Sequence, residues 1–341
     1  MAGIYSRIST QDNHSSSMKA KKALITGATG FIGKHLLVYL KGKGYSIRSF
    51  IRERESLGPH DSSDFEVFLG DLNDRPRMAE ACEGIDVIIH LAGLAHVNNV
   101  DGSLLQEINV GGTEKLLSVA VEKGVSRFIF LSSSLATNSH SELTKKMGYG
   151  KAKLRSEEAL LEAHLAGKIE GVVLRPVNVY GWGMRGNIAS MMSMIQKGIM
   201  PPLPQLDSKI SLIGVEDVCQ AIVLAIESEV AKGKAYLLTD GIRYSVSDIE
   251  ESIYKVVGRE PPSWKTPRFV LYAIIKFIGV ISKIFGIVGI RIPILSDISS
   301  RTYENLVSEN LFDNSLAISE LGFKPTTSFF SSLPSIMIDH D

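Results

Sequence analysis

A doubly wound parallel α/β sheet is the fold this sequence predicts, on three observations. Short apolar runs with strand character recur at Ala23–Ile25, Tyr45–Ile51, Phe65–Leu72, Asp86–Leu91 and Arg127–Leu131, separated by helical patterns and short connections. The first run passes into Thr26-Gly27-Ala-Thr-Gly30-Phe-Ile-Gly33, and Leu36, Leu37 and Leu40 come next at helical spacing. The fourth run is almost wholly apolar, as expected of a parallel strand covered on both faces. Ligands of such a sheet gather outside the carboxyl ends of its strands, so the residues just after each run matter most.

Strand, glycine turn and helix together aim a helix N-terminus and free backbone N–H groups at a phosphate. Gly27 permits the tight turn, Gly30 lets a pyrophosphate come close, and Gly33 lets helix pack on strand. A glycine-rich βα turn without a ligand is the plainer alternative. The second strand ends in Ile51-Arg52-Glu53-Arg54. An acid there would hold the adenosine ribose of NAD, whereas an arginine accommodates the 2′-phosphate of NADP. Arg52 and Arg54 tilt the reading toward NADP, and Glu53 keeps NAD open. The third strand ends in Gly70-Asp71, where Asp71 either caps the next helix or accepts from the adenine amino group. Ala92-Gly93 after the fourth strand are small enough for a cofactor to lie against the backbone. A helix from about Leu104 to Lys123 leads to the fifth strand, which stops at Ser132-Ser133-Ser134.

Tyr149-Gly-Lys-Ala-Lys153 then heads a helix running to about Ala166. Tyr149 and Lys153 are four apart and share a helical face. A nearby ammonium favours the phenolate and brings a tyrosine toward acid–base range. A solvated Tyr/Lys pair is the bland alternative, which the preceding dinucleotide-type half disfavours.

Lys and Arg total 37 and Asp and Glu total 37 in 341 residues, so no basic footprint argues for nucleic acid. Cys82 and Cys219 show no metal-type spacing and read as reduced, buried thiols of a cytoplasmic protein. Residues 1–17 are polar and read as a disordered extension, with the fold beginning near Met18.

The chain resembles the extended short-chain dehydrogenase/reductase family, in the NAD(P)-dependent nucleotide-sugar epimerase/dehydratase branch that includes UDP-glucose 4-epimerases. The likeness runs from about Lys22 to Pro325. It rests on the Thr26–Gly33 turn, Gly70-Asp71-Leu72, His90-Leu-Ala-Gly93, Asn109-Val-Gly-Gly-Thr113, Ser132-Ser-Ser134, Tyr149-xxx-Lys153 and Leu174-Arg-Pro-Val-Asn-Val-Tyr-Gly181. It implies a Rossmann domain (18–180 plus about 209–240) and a smaller, mostly helical substrate domain (181–208 plus about 241–341). Tyr149 would be the general acid or base at a sugar oxygen, Ser134 would bond the same oxygen, and Lys153 would bond the nicotinamide ribose. Cofactor contacts would come from Gly27, Thr29, Gly30, Phe31, Ile32, Gly33, Arg52, Asp71, Leu72, Leu91, Ala92, Gly93, Ser132, Tyr149 and Lys153, with Pro176 and Val177 bordering the nicotinamide. Asn109 belongs with this set and would brace the active-site helix. Asn178, Asn187 and Ile188 match positions that contact the substrate's nucleotide diphosphate. No metal is implied, and a homodimer is.

Three departures from the family stand out. Family dehydratases carry Asp-Glu directly after the active-site Ser/Thr; here Leu135-Ala136 succeed Ser134, against 4,6-dehydration by that route. The loop from Ser134 to Tyr149 is short and lacks the usual acidic, proline-rich stretch. Many members place a pyrophosphate arginine before the Val-x-Asp helix start; here Ile210 occupies that place, with Lys209 beside it as a point-charge substitute. These features leave a 4-ketoreductase and a 4-epimerase open, beside a reductase of a steroid or phenolic ketone and a non-catalytic dinucleotide sensor.

Farther on, strands at about 210 and at Ala235–Thr239 should return to the Rossmann sheet, and helices after Tyr244 should form a lid. Asp313 should cap a closing helix stopped by Gly322 and Pro325. The 22 residues Phe269 to Ile290 carry Lys276 and Lys283 as their charges. They suit a buried lid helix or dimer surface, a peripheral membrane-surface helix, or, at the cost of two central lysines, a span.

Overall fold

The computed structural model describes residues 21–54, 65–94, 102–137, 148–206, 208–270, 272, 273, 276 and 309–338. A seven-stranded, wholly parallel sheet organises it. Its strands are β1 (Lys22–Thr26), β2 (Ser46–Ile51), β3 (Glu66–Leu69), β4 (Val87–His90), β5 (Arg127–Leu131), β6 (Glu170–Pro176) and β9 (Ala235–Leu238), in the order β3-β2-β1-β4-β5-β6-β9. Period-two alternation divides their side chains between two apolar layers. Ala23, Ile25, Ile89, Ile129 and Leu174 pack under helices α1 (Phe31–Gly42) and α7 (Val215–Glu227). Leu24, Ile88, Phe128, Phe130 and Val173 pack under α2 (Arg75–Ala81), α4 (Gly112–Glu122) and α5 (Gly148–Leu165).

The sheet reverses between β1 and β4, and there Gly27 turns the chain with φ +75. A Cβ on Gly27 would sit 2.6 Å from the Ala92 nitrogen, and one on Gly33 would sit 2.2 Å from the Gly27 carbonyl oxygen. Both glycines are therefore demanded by close backbone approach, as the spacing predicts.

The structure corrects four expectations. Lys209–Gly214 (β8) does not return to the main sheet. It pairs with β7 (Asn178–Tyr180) and antiparallel with β10 (Arg243–Ser245) in a separate three-stranded sheet. The edge of β6 is taken by β9 instead. A third apolar cluster packs this small sheet against α6 (Asn187–Lys197), α8 (Val246–Val257) and α10 (Phe329–Ile338), through residues such as Met191, Ile195, Tyr244, Ile253 and Leu333. The helix expected over 104–123 is interrupted: α3 (Gly102–Leu105) passes through a π turn at Gln106–Gly111 before α4. Asp71 does not cap α2. Asp74 does, its carboxylate accepting from the Arg77 N–H at 3.1 Å, while Asp71 accepts from the Asn73 N–H in a local turn. Asp313 lies one residue before the N-cap of α9 (Ser315–Leu321); Asn314 holds that position, and Gly322 ends the helix with φ +64.

Cys82 and Cys219 are free and buried, as expected. The extension 1–17, most of the Ser134–Tyr149 loop and most of 269–290 lie outside the described residues. Among the described residues, no helix is long and apolar enough to cross a membrane.

Candidate active site

The N-terminus of α1 begins at Gly30 with no side-chain cap and no acid in its first turn. Its leading N–H groups therefore lack side-chain acceptors, and the helix dipole adds positive potential there. Together with the Gly27 and Gly33 cradle, this fits the pyrophosphate of a dinucleotide. Thr29, Phe31 and Ile32 border the same turn, and Leu91, Ala92 and Gly93 face it across the β1–β4 crevice. Arg52 is exposed at the tip of β2, and Asp71-Leu72 come after β3.

A buried hydrogen-bond chain joins this crevice to the helix side. Thr26, His90 and Phe130 stand in register across β1, β4 and β5. The Thr113 hydroxyl donates to the Asn109 carbonyl at 2.6 Å, so it must accept from His90 Nε2 at 2.9 Å. That fixes the tautomer and leaves His90 Nδ1 to accept from the Thr26 hydroxyl at 2.6 Å. Burial, reinforced by the Lys153 charge, pushes His90 down to about 3, so it stays neutral at working pH. The π turn carries Asn109 inward, where its side chain clamps Leu94: Oδ1 accepts from the Leu94 N–H at 2.7 Å and Nδ2 donates to its carbonyl at 3.1 Å. The Asn109 carbonyl also accepts from Ser156 of α5 at 3.1 Å. The Asn109 backbone carbonyl thus ties the π turn to the helix carrying Tyr149 and Lys153.

Lys153 is buried and donates from Nζ to the Leu131 carbonyl at 2.8 Å. Its ammonium lies 4.6 Å from the Phe130 ring centre and 5.9 Å from that of Tyr149. Burial draws Lys153 down to about 8, opposed by the charge of Glu157 one helical turn on. Burial also pushes Tyr149 up to about 12. The expected pull of the ammonium on the phenol is therefore outweighed, and Tyr149 keeps its proton at neutral pH. Ser134 starts a 3₁₀ turn (Ser134–Ala136) that rests on the head of α5. A Cβ on Gly150 would come within 2.6 Å of the Leu135 carbonyl oxygen, so glycine at this position is what lets the 3₁₀ turn and α5 meet.

Ser132 is engaged elsewhere: its hydroxyl donates to Glu157, which also accepts from Arg175 at 3.0 and 3.1 Å. Sequence reasoning missed the roles of His90, Glu157 and Arg175. The i, i+4 spacing of Lys153 and Glu157 was the available signal. Pro176 ends β6 beside Leu238, and Val177 donates its N–H to the Leu238 carbonyl. Asn178 is exposed in β7, while Asn187 and Ile188 open α6 after Gly186. Ile210 is buried in the third cluster, and Lys209 points to the opposite, exposed face of β8. Lys209 therefore does not stand in on the side where the arginine is missing.

The sequence profile of the NAD-dependent epimerase/dehydratase family matches residues 23–238. The chain belongs to that family. A UDP-glucose 4-epimerase of Vibrio cholerae is 30% identical over 264 residues, covering 72% of this chain and 78% of its own. A 3β-hydroxysteroid dehydrogenase/Δ5→4-isomerase of Mycobacterium tuberculosis is 24% identical over 327 residues, covering 89% of this chain and 86% of its own. In fold, the chain is similar to a Thermotoga maritima UDP-glucose 4-epimerase solved with UDP-glucose. The TM-score is 0.69 at 20% identity, over 94% of this chain and 98% of that one. Family membership accounts for the glycine cradle and the parallel sheet. Substrate class divides the relatives.

Proposed function

We propose that the chain is an NAD(P)-dependent oxidoreductase acting at C4 of a nucleotide-linked sugar, by 4-ketoreduction in preference to 4-epimerisation. The observation that carries this is the half-buried Tyr149 ring 5.9 Å from Nζ of buried Lys153, which in turn bonds the Leu131 carbonyl at the carboxyl end of β5. The Gly27–Gly33 turn would hold the dinucleotide, whose reduced form, NADPH or NADH, would supply the hydride for the sugar carbon. Tyr149 gives its phenolic proton to the sugar oxygen, and Ser134 donates a hydrogen bond to that oxygen. The Lys153 ammonium then steadies the phenolate until solvent returns the proton. In epimerisation Tyr149 would have to start as the phenolate, a form that a raised phenol pKa disfavours. Arg52 and Arg54 at the β2 tip add support for a phosphorylated, exchangeable cofactor. Asn178, Asn187 and Ile188 would hold the nucleotide diphosphate, and the seven-stranded sheet with its flanking helices would hold the dinucleotide. The reading places the enzyme in the cytoplasm as a homodimer.

A second reading, reduction of a hydrophobic ketone, is favoured by buried Ile210 at the arginine place and by the steroid dehydrogenase relative. Two measurements decide. Nucleotide released from purified protein should be absent or phosphorylated, with NADPH refilling the site; tightly retained NAD would overturn the reductase choice. Uridine or thymidine diphosphate should bind in competition with substrate; if neither does and a steroid ketone turns over, the sugar reading falls.

A further inference from the structure

One stretch stands outside the matched family domain and differs from the rest in charge. Residues 261–296 carry Lys265, Arg268, Lys276, Lys283 and Arg291 and no Asp or Glu, in a chain whose charges balance only when these five are counted. The backbone is helical at 268–270, 272, 273 and 276. Arg268, Tyr272 and Lys276 succeed one another at four-residue spacing with Phe269 beside them, so all four share a face. That face meets solvent: Phe269 is 74% and Tyr272 41% exposed, Arg268 and Lys276 are exposed, and Trp264 just before them is 60% exposed. The segment is nevertheless fixed to the body. Thr266 donates to the Pro202 carbonyl at 2.6 Å, Arg268 to the Gln205 carbonyl at 3.1 Å, and Lys265 reaches buried Glu250 at 3.3 Å.

We propose that this face docks the enzyme peripherally on an anionic lipid surface. Aromatic rings interleaved with cations match a headgroup layer, where rings enter the interface and ammonium or guanidinium groups meet phosphates. The uniform sign argues against a second copy as the occupant, because a two-fold contact would bring Arg268 and Lys276 against their own like charges. No residue of the proposed sugar site takes part, so docking stands or falls apart from that reading.

The chain has two tryptophans, and Trp182→Phe leaves Trp264 as a local reporter. With vesicles of phosphatidylcholine plus phosphatidylglycerol at low salt, its emission should shift to the blue and the protein should co-sediment. High salt should reverse both, and phosphatidylcholine alone should give neither. Arg268→Glu with Lys276→Glu should weaken partitioning roughly a hundredfold, with dinucleotide affinity unchanged. Co-sedimentation of the wild-type chain gives the same readout should Trp182→Phe not fold. Absence of binding to anionic vesicles overturns the proposal. So does equal, salt-insensitive binding to neutral ones, or a blue shift that tracks protein concentration without vesicles.

Discussion

At the amino end of the parallel sheet, Arg48 and Arg127 repeat one arrangement in the two halves of the fold. Arg48 bonds Glu66, its register partner on β3, at 2.8 Å, and its Nη1 donates to the Ala81 and Glu83 carbonyls at the end of α2. Arg127 bonds Glu170, its register partner on β6, and its Nη1 donates to the Ile226 and Ser228 carbonyls at the end of α7. Each guanidinium thus meets a carboxylate and closes a helix C-terminus, where orphan carbonyls and the dipole both favour a cation. At the carboxyl end, Lys153 is equally buried but donates to an uncharged carbonyl, while the oxygens of Glu157 are taken by Arg175 and Ser132. Its charge is left poorly compensated, and its pKa falls accordingly. Buried charge at one end holds helices to strands; at the other the Lys153 ammonium has a backbone carbonyl in place of a carboxylate partner.

If that division is right, variants at the two ends should fail in different ways. Tyr149→Phe should lower turnover by about a thousandfold, with melting temperature and dinucleotide affinity close to wild type; steady-state kinetics and thermal unfolding check both. Arg127→Met should do the reverse. Removing the buried guanidinium leaves the carbonyls at the end of α7 without their donor and should cost about 2 kcal/mol in urea unfolding, while turnover per folded molecule is kept. His90→Phe keeps the stacking on Phe130 and removes both ring hydrogen bonds, so dinucleotide binding should weaken roughly tenfold through a loosened Ala92–Leu94 turn. Because His90 is neutral at working pH, that loss should be flat between pH 6 and 8 in fluorescence titrations, about its unperturbed value.

The smallest effect is the sharpest test of the contrast. Lys153 at about 8 in the fold lies below an unfolded lysine at roughly 10.4. Between those values the unfolded chain holds more protons, so this residue's contribution to stability rises with pH across that window, and its burial cost is complete below it. Lys153→Met should therefore raise the melting temperature at neutral pH, with the gain shrinking toward pH 10, while catalysis is lost. A gain that does not change with pH would mean that the ammonium is not strained by burial.

Much of the site could be read from local sequence because its geometry is local. The Gly27, Gly30 and Gly33 spacing is the turn itself, and Tyr149 and Lys153 meet through one helical turn. The destination of β8 could not be read so. Its apolar alternation suits any sheet, and only the competition of Ala235–Leu238 for the β6 edge sends it to pair with Asn178–Tyr180. The π turn at Gln106–Gly111 was hidden for a similar reason: its sequence is ordinary helix, and the hydrogen bonds of Asn109 to Leu94 and of Ser156 to its carbonyl exist only once α5 has packed.

By itself, then, the sequence determined the alternation of strand and helix, the glycine turn and the candidate proton-transfer groups, since each is set by backbone sterics or side-chain chemistry within a few residues. Tertiary structure decided how far Tyr149, Lys153 and His90 are pushed from their ordinary pKa values. That depends on how much water the surrounding strands and helices exclude, and no short stretch of chain carries that information.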